Sequence, residues 1–184
     1  MSNYVGVLIA LLIVACSVGG AQERKVEFSD PEIGGFSFVA DHDEYAVSTG
    51  IDVMVANGVK YPFRLGSIQV WDENKTTGAY VSLSRFDRKK PPLETEKSLF
   101  VENFIASSGE MWGREPISMN VAGYNATIWE GVGMPYTDAQ KRLRHFSATI
   151  VYIDVNESMS MAIGAEEPLF SQITGSLVVE GRGV

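Results

Sequence analysis

Apolar and polar residues alternate with period two through most of this chain, and the pattern gives way to a helical one in two places. Ile51, Val53 and Val55 alternate with Asp52 and Met54 and run into Asn57-Gly58. Both residues of that dipeptide tolerate φ > 0, so it predicts a tight hairpin. Strands are expected over 67–71 and 78–86 with a loop over 72–78; in the second strand Ala79, Val81 and Leu83 share one face and Ser82 and Ser84 the other. Arg88-Lys89-Lys90-Pro91-Pro92 is a loop that no strand continues through. Behind it, Phe100, Val101, Phe104 and Ile105 recur at helical spacing. They predict one long helix over 95–108, capped by Thr95, with Glu96 in its first turn and Gly109 ending it. Strand patterning then returns in Ile117, Met119 and Val121 up to Gly123, in Ala126, Ile128 and Val132, over 145–153, and over 158–165 after a turn at 154–157. Pro168 suits the first position of a short helix that turns Leu169, Phe170 and Ile173 inward and ends at Gly175, before a last strand over 176–179. The fold class expected is α+β: a mainly antiparallel sheet with one long mid-chain helix and a short C-terminal one.

The first residues follow a different pattern. From Tyr4 to Cys16 the chain is apolar and carries no charge. As a helix this run reaches about 20 Å, short of the ~30 Å of hydrocarbon a spanning helix must cross, so it reads as the apolar region of an export signal. Ile13-Val14-Ala15-Cys16 resembles the lipobox of secreted lipoproteins. The resemblance implies cleavage before Cys16 and a diacylglyceryl group on its sulfur, which would anchor the protein to the membrane. Cleavage after Ala21, behind Gly19 and Gly20, is the rival and would release a secreted protein; an uncleaved anchor is the third option. The organisation expected is a signal peptide over 1–16, a flexible tether over 17–34 rich in small and charged residues and broken by Pro31, and a single α+β domain over 35–184. All three options place that domain outside the cytoplasm.

Composition narrows the partners. A formal net charge of −8 argues against nucleic acid. Cys16 is the only cysteine, so the domain has no disulfide and no thiolate metal site and must be held by packing. Asn74-Lys75-Thr76, Asn125-Ala126-Thr127 and Asn156-Glu157-Ser158 are glycosylation sequons in or beside predicted turns, with ordinary turn asparagines as the bland reading. A lipobox with sequons and no disulfide fits an archaeal surface protein better than a eukaryotic secreted one.

From Gly78 to its end the chain resembles the PsbP/Mog1-like domains. The resemblance lies in the order of a strand, the mid-chain helix, a hairpin around Val121-Ala122-Gly123-Tyr124, a longer hairpin through 154–157, and the Glu167-Pro168-Leu169-Phe170 helix leading into Ser176-Leu177-Val178-Val179. The family's aromatic-Pro-x-x-Trp-like segment has no clear match; Tyr45-Ala46-Val47 stands in its place, which leaves the strand order of 36–75 open. The resemblance implies a PsbP/Mog1-like sandwich and roles as a binding or assembly partner, with no transferable catalytic residue.

Catalytic and metal templates find little to fill them. Only His42 and His145 are available, without a His-x3-His pair, so no zinc site is expected. Asp41-His42-Asp43-Glu44 is the densest cluster of potential ligands, but consecutive side chains splay, and it reads as a solvated turn, with a weak cation site as the alternative. Asp72 to Gly78 begins like a calcium loop, yet its glycine falls late and Leu83 stands where the bidentate glutamate belongs. There is no Gly-x-Ser-x-Gly elbow and no P-loop, and Gly131-Val132-Gly133 lacks the rest of a dinucleotide fingerprint. Glu166-Glu167 most simply favours the following helix N-terminus. No cofactor is expected. Trp112, Trp129, Met134 and Tyr136 are the candidate binding residues, able to line an apolar patch, with ordinary core-edge aromatics as the alternative. Lys141-Arg142-Leu143-Arg144-His145 is a basic cluster of the kind strand ends commonly carry.

The leading expectation is therefore a membrane-anchored, non-catalytic binding or accessory module of a cell-surface complex, with a protein partner. Two alternatives stand beside it: a hydrolase pairing His145 with Asp138 or Glu130, and a glycosylated structural component of the envelope.

Overall fold

The computed structural model describes residues 23–72, 78–108, 110–111, 115–137 and 143–180, with side chains described outside 103–114 and 132–147. In chain order the elements are β1 (Glu23–Asp30), β2 (Gly34–Asp41), β3 (Glu44–Ala56), β4 (Val59–Trp71), β5 (Gly78–Phe86), α1 (Leu93–Ser108), β6 (Glu110–Met111), β7 (Ile117–Val121), β8 (Tyr124–Thr137), β9 (Leu143–Asn156), β10 (Met159–Ala165), α2 (Leu169–Ser176) and β11 (Val178–Glu180). They build an α+β fold of two antiparallel sheets. The large one runs β3-β4-β5-β10-β9-β8-β6, with β7 also paired to β8, and the small one runs β1-β2-β11.

Period-two patterning explains the core. One face of the large sheet buries Ile68 and Val70 of β4, Val81 and Leu83 of β5, Met161 and Ile163 of β10, and Val151 and Ile153 of β9. The small sheet lies over it with Val26 and Phe28 of β1 and Phe36 and Phe38 of β2, and α2 adds Leu169 and Ile173. Phe36 stacks on Phe28 at 5.2 Å between ring centroids and on Phe38 at 6.4 Å. The free edge of β2 beyond β11 is finished by side chains of α2: Val39 N donates to Ser176 Oγ at 2.7 Å, and Asp41 N to Gln172 Oε1 at 2.8 Å. Backbone groups that would otherwise lack a strand partner are thereby satisfied.

Four expectations need correction. Residues 23–34 are not a tether but β1 and its turn into β2. Their charges at Glu23, Lys25 and Glu27 alternate with the buried Val26 and Phe28, so they mark the outer face of a strand. The folded domain accordingly begins well before residue 35.

The expectation of one long mid-chain helix beside a short C-terminal one is not borne out in its detail. The main core is closed by β1, β2 and α2, and α1 serves a smaller cluster on the opposite face, where Leu93, Phe100 and Val101 lean on Trp129, Ile150 and Tyr152. Thr95 is not a cap either: α1 begins at Leu93, and Glu96 N already donates to Pro92 O at 3.0 Å.

Finally, β4 begins at Val59, far earlier than 67. Pro62 is tolerated within it because β5 ends at Phe86, opposite Phe63, so no ladder donor is required there. The Pro62 carbonyl on that side accepts from Asp87 N at 3.1 Å.

The two layers meet most closely where Phe28 crosses Gly66. A Cβ on Gly66 would stand 2.1 Å from the Phe28 ring. Glycine is needed there for approach, and Gly66→Ala should destabilise the fold by about 1–3 kcal/mol as the ring is forced aside. Urea unfolding followed by far-UV circular dichroism checks this; an unchanged midpoint would show that the layers are not in contact at that point.

Candidate functional site: an arginine-lined groove

The register of β3, β4 and β5 carries the core face past the end of its cover. Along β4 the core-facing positions are Val70, Ile68, Gly66 and then Arg64, and along β5 they are Ala79, Val81, Leu83 and then Arg85. Arg64 and Arg85 are direct register partners, as are Ile51 of β3 and Arg64. Residues opposite one another on antiparallel strands share a face, so two arginine side chains leave the sheet side by side, an arrangement that is unfavourable without a counter-charge.

Glu32, in the turn between β1 and β2, supplies one, reaching Arg64 Nη1 at 2.9 Å. Asp30 holds that turn by accepting from Glu32 N at 2.8 Å and Ile33 N at 3.0 Å. Among the described residues Arg85 has no ion-pair partner, and neither has Arg88 of the following loop. Together with Phe86, Asp87 and Ser158 these residues line an open groove of about 490 Å³.

The loop that presents Arg88 is anchored through Lys90. Lys90 N donates to Glu157 O at 3.0 Å, and its side chain turns under α1, where it is 8 % exposed. Its Nζ contacts Asp154 Oδ1, lies 3.6 Å from Glu96 Oε2, and reaches the Tyr152 hydroxyl at 3.4 Å. Glu96 is the one fully buried side chain among the described residues of α1, and its Oε1 accepts from Ser160 Oγ at 2.7 Å. Burial, reinforced by the negative charges of Glu96 and Asp154, pushes the Tyr152 phenol far above its usual range. It therefore stays protonated, as a hydroxyl among charges that it cannot join. This cluster fastens α1 and the loop to β9 and β10 and leaves Arg88 exposed on the groove side.

The opposite ends of the same strands are acidic. Asp41, Asp43, Glu44, Asp72 and Glu166 gather there by register. Burial, with Asp72 nearby, raises the Glu166 carboxyl above its ordinary value. No group of three ligands able to hold a metal ion forms among the described residues. His42 corrects the solvated-turn reading of Asp41-His42-Asp43-Glu44: it is 3 % exposed, bonds Ala40 O through Nδ1 at 2.9 Å, and meets Tyr45 edge-on. Glu44 turns aside to accept from Trp71 Nε1 at 2.9 Å.

None of the described residues singled out as candidate sites in the sequence lines this groove. Trp129 is buried beneath Phe100, with ring centroids 5.9 Å apart, as a core-edge aromatic and not part of an exposed patch. Trp112 lies outside the described residues; Met134 and Tyr136 lie on β8 with side chains outside them. His145 pairs in register with Pro135, again with its side chain outside the described set; Asp138 and, of the basic cluster, Lys141 and Arg142 lie outside the described residues. Glu130 sits at the bulge of β8. Gly131-Val132-Gly133 is strand. Asn125 and Asn156 are exposed, Asn156 Oδ1 accepting from Ser158 N at 2.9 Å; Asn74 and Cys16 lie outside the described residues.

The arginine pair escaped sequence reading because it exists only once β4 and β5 are set in register. Lys90 and Glu96 looked like a loop charge and a first-turn acid. Comparison with family models, with curated proteins and with solved structures finds no match.

Removing one partner of a buried ion pair strands the other. Lys90→Met should therefore cost about 3–5 kcal/mol, and Lys90→Met with Glu96→Gln should recover part of the loss. Paired urea titrations measure the coupling; strictly additive losses would mean that the two groups do not sense each other.

Proposed function

We propose that this chain is a non-catalytic binding or accessory module, held at the outer face of a membrane by a lipid on Cys16, whose second half is a PsbP/Mog1-like sandwich. The observation that carries the reading is the arm formed by the ends of β3 and β4. Beyond Phe63 these strands lose β5 as a neighbour and continue as a two-stranded ribbon to the Asn57-Gly58 turn, where both residues have φ > 0. Ile51, Val53 and Val55 share its core-side face yet are 67 %, 44 % and 54 % exposed. Val59 near the tip is exposed as well. A two-stranded ribbon has little stability of its own, and a row of exposed β-branched residues along it suits a surface that is covered on binding.

Export and anchoring rest on the leader and on the lipobox-like Ile13-Val14-Ala15-Cys16. Among the described residues no helix is long and apolar enough to cross a membrane. The arm beside an open groove favours recognition over the hydrolase reading that used His145. The exposed Asn125 and Asn156 support, as a second reading, a glycosylated envelope component; glycopeptide mass spectrometry separates the two, since occupied sites belong to the second.

Two substitutions test the proposal. Cys16→Ser should move the protein from the membrane fraction to the soluble extracytoplasmic fraction, whereas an unchanged distribution would remove the lipid anchor. Val53→Ser with Val55→Ser should leave the melting temperature nearly unchanged, because exposed positions contribute within about 0.5 kcal/mol. The same variant should lose co-purification with the partner that the wild-type chain retains; undiminished co-purification would remove the arm from the interface.

A further inference from the structure

We propose that the groove formed by Arg64, Arg85 and Arg88 is a carboxylate-binding site, and that Glu32 is its built-in occupant, displaced when a ligand's carboxylate enters. The inference rests on the reading of this chain as a binding module and adds the chemical class of what it binds.

Four observations converge. Arg64 and Arg85 are held directly opposite each other by register, which places two like charges on one face, an arrangement that an anion relieves. One of the two is already engaged by a carboxylate, that of Glu32 at 2.9 Å, so the site's own geometry accepts that group. Among the described residues Arg85 and Arg88 have no ion-pair partner, although the chain as a whole carries a net charge of −8. The groove is open and about 490 Å³ in size, enough for a small dicarboxylate or for the acidic side chain of a larger ligand.

Glu32 is suited to being displaced. Its side chain is 65 % exposed and sits on a turn, so its pairing with Arg64 is a solvated contact that is easily exchanged. Guanidinium groups bind carboxylates through two parallel N–H donors, and a ligand reaching Arg85 and Arg88 as well as Arg64 gains contacts that Glu32 alone does not make. Asp87, which also lines the groove, leaves three cations facing two anions, so charge favours one further carboxylate.

The test uses the purified full chain in detergent at constant ionic strength, with succinate as probe, inorganic phosphate as comparison, and isothermal calorimetry or NMR shifts as readout. Succinate should bind with a Kd of about 1 mM or tighter. Arg85→Gln and Arg88→Gln should each weaken it about tenfold, as loss of a charge-assisted hydrogen bond implies. Glu32→Gln should tighten it about threefold or more, because the competing carboxylate is gone. Lys25→Gln, on the outer face of β1, should change nothing.

Absence of succinate binding to both wild type and Glu32→Gln overturns the proposal. So does equal weakening by Lys25→Gln, or tighter binding of phosphate than of succinate. The arm variant separates this inference from the reading beneath it. If Val53→Ser with Val55→Ser abolishes partner capture while no variant binds succinate, the carboxylate site fails and the module stands. If succinate binds as described while the arm variant captures its partner undiminished, the arm reading fails and the site stands.

Discussion

A strand of eight residues spans about 27 Å and one of thirteen about 43 Å. In this molecule the covering strands β1 and β2 are of the first kind and β3 and β4 are of the second. The cover therefore closes over part of the core face and stops. Its lower limit is set where Phe28 crosses Gly66, too tightly for any side chain at that position. One register step further the face changes from buried aliphatics to the row Ile51, Arg64 and Arg85, and beyond that row only the two-stranded arm remains. Groove and arm are consequences of one mismatch in length.

Charge is distributed along the same axis. The end of the strands under β2's last residue gathers Asp41, Glu44, Asp72 and Glu166, and the end under the β1–β2 turn carries the arginines. Lys90 connects the two faces of the large sheet at the arginine end. Its burial with Glu96 and Asp154 holds the 87–92 loop in place, so Arg88 is presented from a fixed backbone. Paired buried charges stabilise little compared with apolar packing, but breaking one of them is costly, so the contact ties the loop to the sheet.

Much of the strand architecture was legible in the chain because alternation is a local signal. Asn57-Gly58 marked a hairpin, Val81 and Leu83 marked a core face, and both are found as such. Charge misled where it alternated with apolar residues: Glu23, Lys25 and Glu27 suggested a solvated tether, although Val26 and Phe28 between them are core. Pro62 hid the first half of β4, because a proline inside a strand is acceptable only where a neighbour ends, and a single strand cannot reveal where its neighbour stops. The groove was illegible for the same reason at longer range. Arg64 and Arg85 lie 21 positions apart in the sequence and meet only through register. The aromatics that drew attention, Trp129 above all, were conspicuous by residue type, and type alone does not distinguish a core edge from a docking surface.

The account depends on the uncovered stretch of β3 and β4 being the surface that meets a partner. Site-specific photo-crosslinking in intact membranes tests this most directly, with the reactive residue placed at Val55 on the arm and, for comparison, at Val178 on the small sheet, which is equally exposed at 54 %. The account predicts a discrete crosslinked product from position 55 and none from position 178. Crosslinks from position 178 alone, or the same diffuse products from both, would contradict it.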